Sequence, residues 1–284
     1  MRCVTTRIRL FVLAALLLPS AAYADGSEFF FFSPDFGPGN LSGLTQAAEA
    51  YFKDADADVH FQPFALIEDF ERQFAERKPQ FVVVPERIVV ARCLGSQLRP
   101  LAFPVRGNRS FGRRTLMARA GIDSANGLAN GSVAATLPSN DETVHSDAIS
   151  RLKHDFPGIR IIPVPKDVDA LLAVGFGQVD AAFVSNAQFD QLTKINPRLT
   201  ENLNELGYSE EIPFPMVYAT EFATQENVDK LRALMHTVND TASGKRLTTL
   251  LGYDAWNLVD PETSEPIRMP DRCNKSTEDK EGSS

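Results

Sequence analysis

Val168-Asp-Ala-Leu-Leu-Ala-Val-Gly-Phe-Gly-Gln-Val-Asp-Ala-Ala-Phe-Val-Ser185 is the stretch whose reading decides the fold. Leu171, Leu172 and Val174 give a short helix one apolar side, and Gly175 stops it, since glycine adopts helix-ending backbone geometry at little steric cost. Val179-Asp180 leads into Ala181-Ala-Phe-Val184, an apolar run of strand length and too short for a helix. A strand apolar at every position is buried on both faces, as in the parallel sheets of α/β proteins.

Working outward, the same alternation recurs. Phe29 to Ser33 reads as a first strand, followed by a helix over Leu41 to Lys53. Val59 to Phe61 is a second strand. Leu66, Phe70 and Phe74 share a face at helical spacing in the segment after it, which Pro79 stops. Phe81-Val-Val-Val84 is a third strand, closed by Pro85, and Ile88 to Arg92 is a short helix. Leu98 to Val105 and Thr115 to Arg119 are further strands, separated by an Arg/Gly-rich segment. A second unit then begins, with strands at Val133 to Leu137, Ile159 to Val164 and Ala181 to Val184, and helices at Ser139 to Phe156 and Asp167 to Gly175. Met216 to Thr220 carries the chain back, and Gln225 to Asp240 is a helix. The segment after Trp256 is polar, and 269–284 is expected to be a flexible tail.

The N-terminus is an export signal. Arg2, Arg7 and Arg9 precede an apolar run from Leu10 to Leu18, and Ala22-Tyr23-Ala24 fits a signal-peptidase site, so residues 1–24 are expected to be removed. The formal charge of −8 becomes −11 without them, because three arginines and no acid leave. So acidic a chain is a poor partner for nucleic acid or anionic lipid, which need basic patches. Cys3 departs with the signal. Cys93 and Cys273 remain, either as one disulfide or as separate thiols. No C-x-x-C pair, H-E-x-x-H, G-x-S-x-G or phosphate-binding glycine loop is present. The expectation is a monomeric chain without cofactor, not an enzyme, with no metal site assigned.

Three stretches carry a family resemblance. They are Ala-Val-x-x-x-Gln-Val-Asp with its following strand and Phe-Asp-Gln-Leu at 170–192, Leu-Ala-Asn-Gly-Ser-Val-Ala at 128–134, and Leu-Gly-Tyr-Asp-Ala-Trp at 251–256. The chain thereby resembles type II periplasmic solute-binding proteins, in the phosphonate- and phosphite-binding (PhnD-like) branch of ABC-transporter substrate-binding proteins. The resemblance implies a two-lobed α/β fold, each lobe a mixed, mostly parallel sheet flanked by helices. Lobe 1 would comprise 25–107 and 215–268, and lobe 2 the inserted 108–214. It also implies a small ligand clamped between the lobes, periplasmic localisation and a membrane permease as partner.

At the ligand residues the chain departs from the family. Where phosphonate binders carry a Ser-Thr-Ser-Gly run, this chain has Asn140-Asp141-Glu142-Thr143 after Pro138-Ser139. Like charges about 4 Å apart repel by roughly 1 kcal/mol in water and several near a protein surface, which disfavours a simple phosphonate. Ser139 and Glu142 also fit a capping box at a helix start. Strand ends in such folds face the ligand. The candidate cleft residues are therefore Asp35, Phe36, Phe64 and Glu86 from lobe 1, with Ser139, Asn140, Asp141, Glu142, Thr143 and Asp167 from lobe 2. Their carboxylates would make an acidic cleft suited to a cationic or metal-containing ligand. Two other roles fit the same clamp. One is a sensor for a membrane receptor or kinase, of the arsenite type if Cys93 captures the ligand; the other is an accessory factor for a periplasmic redox enzyme.

Overall fold

The computed structural model describes residues 26–33, 41–137, 147–260, 267, 269–271 and 273. The expected signal sequence, Asp35, Phe36 and the 139–143 segment lie outside these residues. Two sheets organise the rest. The first contains β1 (Ser27–Phe32), β2 (Val59–Phe64), β3 (Phe81–Val84), β4 (Leu98–Val105), β10 (Met216–Thr220) and β11 (Ala255–Leu258), in the order β11-β4-β10-β3-β1-β2. The second contains β5 (Phe111–Ala118), β6 (Ser132–Ala135), β7 (Arg160–Pro163), β8 (Ala181–Ser185) and β9 (Asn204–Pro213), in the order β7-β6-β8-β5-β9. Each sheet is the centre of one lobe.

Helices α1 (Leu41–Asp54), α2 (Ile67–Arg77), α3 (Glu86–Ala91), α7 (Gln225–His236) and α8 (Ala242–Leu251) belong to the first lobe. Helices α4 (Asp147–Asp155), α5 (Asp167–Gly175) and α6 (Asn186–Ile195) belong to the second. The four phenylalanines of β1 show why the first sheet needs helices on both sides. Phe29 and Phe31 enter the cluster containing Leu44 of α1, Leu231 of α7 and Leu247 of α8. Phe30 and Phe32 point the other way, into the cluster of Ile67 and Phe70 of α2 and Ile88 of α3. Successive side chains of a strand face opposite ways, so a strand flanked by β2 and β3 and covered on both faces must be apolar throughout.

The second lobe repeats this logic with smaller side chains. Ala181 and Phe183 of β8 face Ile149 and Leu152 of α4, while Ala182 and Val184 face Leu171 and Val174 of α5. Asp180, just before β8, accepts the N–H of Ser132 at 2.9 Å and pairs with Arg119 at 3.0 Å. It thereby ties the starts of β6 and β8 together.

Both sheets are mixed as expected, but antiparallel pairing is more prominent than the mostly parallel arrangement implied. β1 pairs parallel with β2 and β3, whereas β10 runs antiparallel to β3 and β4, and β11 antiparallel to β4. In the second sheet β6 pairs parallel with β7 and β8, while β5 runs antiparallel to β8 and β9. The cause is the double passage between lobes. The chain leaves along β4 into β5 and returns along β9 into β10, so the outgoing and returning strands lie side by side in opposite directions. Phe214 N–H donates to Ser110 O at 2.9 Å and joins the two passages between the sheets.

The segment from 269 was expected to be loose, and its described part is not. Cys273 is disulfide-bonded to Cys93 with Cα atoms 5.2 Å apart, and Met269 lies so close to Gly95 that a Cβ there would clash with its sulfur. Residues 269–271 and 273 are fastened to the first lobe beside α3.

Candidate functional site

The ends of β3, β6 and β8 open onto one cavity of about 270 Å³. Pro85 follows β3, Thr136 follows β6, and Ser185 ends β8, so the carboxyl ends of strands from both sheets converge on it. Ligands of open α/β sheets bind at such strand ends. Phe214 and Pro215 of the return passage, Arg106 of the outward passage, and Leu250 to Tyr253 at the end of α8 supply the remaining wall.

A buried ion pair forms part of the lobe 2 wall. Arg114 of β5 donates to Asp167 Oδ1 at 2.6 Å, and the Thr136 hydroxyl donates to the same oxygen at 2.8 Å. Asp167 Oδ2 accepts the N–H of Ser185 at 2.8 Å. Arg114 also donates to the Phe183 carbonyl at 3.2 Å and lies over the Phe183 ring at 5.5 Å. Burial works to raise the pKa of Asp167. The Arg114 charge and the hydrogen bonds from Ser185, Thr136 and Arg114 outweigh it and hold the carboxyl below its ordinary value. The carboxylate therefore cross-links β5, β6, β8 and the start of α5, and Arg114 neutralises it.

Among the described residues, five cations line the cavity: Arg87, Arg106, Arg113, Arg114 and Lys166. Against them stands one carboxylate, Asp167, already paired. Arg113 pairs with Glu205 at 2.8 Å on the exposed side of β5. The described wall is thus basic on a chain of net charge −8, a local reversal that concentrates positive potential in a concave site.

The model of the family described as "ABC transporter, phosphonate, periplasmic substrate-binding protein" matches residues 30–263. The chain belongs to this family. A comparison with curated proteins finds no match. Among solved structures, a binding-protein component of an ABC phosphonate transporter from Pseudomonas aeruginosa has 15% identity and a TM-score of 0.63, over 83% of this chain and 82% of that one. PhnD1 from Prochlorococcus marinus, in complex with methylphosphonate, has 12% identity and a TM-score of 0.65, over 89% and 98%. A Xanthomonas citri protein bound to chloride ion has 11% identity and the same TM-score of 0.65, over 90% and 98%. At these identities the likeness shows the fold. This phosphonate-binding-family protein is accordingly a two-lobed periplasmic substrate-binding component of an ABC transporter, a class that binds solutes rather than converting them.

Measured against this family fold, the residues expected at the cleft divide into three groups. Asp167 lines the cavity, though committed to Arg114. Asp35, Phe36, Ser139, Asn140, Asp141, Glu142 and Thr143 lie outside the described residues. Phe64 and Glu86 do not line the cavity. Phe64 is the last residue of β2, beside Phe32, with its ring 5.0 Å from Phe30 and 5.7 Å from Phe70 in the core. The strand runs three residues further than its apolar pattern predicts, which carries Phe64 inward. Glu86 begins α3, and successive helical residues point about 100° apart, so Arg87 and Pro85 reach the cavity while Glu86 does not. Glu86 lies near the buried Tyr218, whose phenol is pushed up chiefly by burial and further by that charge.

The charges of the described wall are those of arginine, lysine and Asp167, while Asp35, Asp141 and Glu142 of the expected acidic cleft lie outside the described residues. Sequence reading marked the segment that holds Arg106, Arg113 and Arg114 only as an Arg/Gly-rich separator of two strands, and Arg113 and Arg114 pair with acids. It overlooked Arg87, Thr136, Lys166 and the end of α8. A signal existed: residues passing between two lobes, and those directly after a strand, must border the space between them.

Proposed function

We propose that the protein clamps a small anionic solute between its lobes (25–107 with 215–268, and 108–214) and delivers it to an ABC-type permease. The observation that carries this reading is the described cavity wall, which holds five cations and one carboxylate, the latter neutralised by one of the five, with a second of them paired to Glu205. A cationic or metal-bearing ligand would meet net repulsion from that wall. Asp141 and Glu142 stand where phosphonate binders carry hydroxyls, so an anion of low or spread charge, such as a carboxylate, suits the chain better than a doubly charged phosphonate. The disulfide consumes the Cys93 thiol, which removes the basis for arsenite capture there.

A melting-temperature screen tests the reading. Carboxylates, sulfate, inorganic phosphate and methylphosphonate form one arm, and diamines and divalent metals the other. An anion at about a hundred times its dissociation constant should add roughly 2.7 kcal/mol. For a chain of this size that raises the melting temperature by about 5–10 °C. Stabilisation by a diamine or metal, with none by any anion, would overturn it.

A further inference from the structure

Arg106 opens the outward passage and touches each part that must move if the lobes swing. Its N–H donates to Arg109 O at 2.9 Å, and Arg109 N–H returns a bond to Arg106 O at 3.0 Å. Between them Gly107 (φ 54°) and Asn108 (φ 63°) take left-handed conformations, the geometry of a tight two-residue hairpin turn. The turn is fixed to lobe 1: Gly107 N–H donates to Asp254 Oδ2 at 2.6 Å, and Asp254 N–H donates to Val105 O at 2.8 Å.

The Arg106 side chain reinforces this attachment. Its Nε–H donates to the Gly252 carbonyl at the C-terminus of α8, where the helix dipole concentrates negative charge. Its guanidinium lies 5.2 Å from the ring centre of Phe214 and 5.6 Å from that of Tyr253, rings that are themselves 5.2 Å apart. Phe214 belongs to the return passage and Tyr253 to the connection into β11. One cation therefore fastens the outward passage to the return passage and to lobe 1. Gly252 makes room for it: φ is 71°, and a Cβ there would lie 2.6 Å from Arg106 Nη2.

Arg106 also differs from its neighbours in charge balance. Arg113 and Arg114 face Glu205 and Asp167, whereas the partners of Arg106 among the described residues are a carbonyl and two rings. We infer that Arg106 is the positioning residue of the hinge. It sets the resting angle between the lobes, and its charge at the cavity edge, which pairs with no carboxylate among the described residues, transmits an anion in the cleft to that angle. The second half of this inference rests on the anion reading above.

Spin labels on α2 and α6 of the full chain, read by double electron–electron resonance, test both halves. Without ligand, R106Q removes the charge and G252A displaces the guanidinium while keeping it. Each should give an interlobe distance distribution roughly twice as wide as wild type, with R106K between them. Distributions for R106Q and G252A that match wild type overturn the hinge role. Inorganic phosphate at high concentration is then added as the anionic probe. It should narrow and shorten the wild-type distribution and act more weakly on R106Q. An equal response in R106Q overturns the coupling. No response in any protein, with the ligand-free variants still broadened, refutes anion capture for this probe and leaves the hinge role standing.

Discussion

Two regions of this molecule invert their surface appearance in the sequence. Phe29 to Phe32 looks like an aromatic binding element and is core, with each ring buried against helices on one face or the other. The arginines from 106 to 114 look like a solvated cluster, yet Arg106, Arg113 and Arg114 border the cavity between the lobes. The difference lies in position rather than residue type. The body of a strand in the middle of a sheet is sealed off and only its carboxyl end can meet a ligand, whereas a passage between sheets cannot avoid the space the sheets enclose.

The comparison is most easily broken in the core. Phe30→Ala should cost about 3–5 kcal/mol in urea unfolding, because the ring packs against Phe64 and Phe70 and the cavity left cannot collapse. A cost below about 1 kcal/mol would mean that β1 is not enclosed on that face. Next in size is Arg114→Ala, which leaves Asp167 buried without its cation. The expected loss is about 3 kcal/mol, while Arg114→Ala with Asp167→Asn together should recover part of it. Additive losses in a double-mutant cycle would show that the pair is not coupled.

The same pair predicts a pH dependence. Asp167 has a depressed pKa in the folded chain, so it contributes stability above the ordinary carboxylate value of about 3.9. That contribution is lost as pH falls from there through the lower folded value. Asp167→Asn should flatten the fall in melting temperature below about pH 4 relative to wild type; an unchanged slope would assign the acid sensitivity elsewhere. The smallest stability effect belongs to the loop side of the comparison. Arg106→Gln should change global unfolding by less than about 1 kcal/mol, the range for an exposed cation over aromatic rings, even though it alters the hinge.

Much of the fold was legible because burial writes a period into sequence. β1, β3 and β8 are short apolar runs, and α1, α2, α5 and α7 carry apolar faces or glycine and proline stops. β9 was not legible. It is a polar edge strand, Asn204–Pro213, paired on one side with β5, with Gly207 at φ 73° and a register shift opposite it; a charged edge resists pairing with another chain but erases the alternation that marks a strand. α6, α8 and β11 were missed for want of a continuous apolar pattern. The site was less legible than the fold. A carboxylate such as Asp167 reads as a ligand group until its partner is known, and that partner, Arg114, lies 53 residues away. Lys166 and Tyr253 reach the cavity only because α5 begins and α8 ends there.

The most direct test of the central claim uses Trp256, the single tryptophan, whose ring lies 5.6 Å from Tyr253 at the cavity wall. Its fluorescence would be titrated in parallel with small carboxylate and phosphate anions and with diamines. A saturable change with at least one anion, weakened by added salt and absent with every diamine, is the result this account predicts. A saturable response to a diamine alone would contradict it.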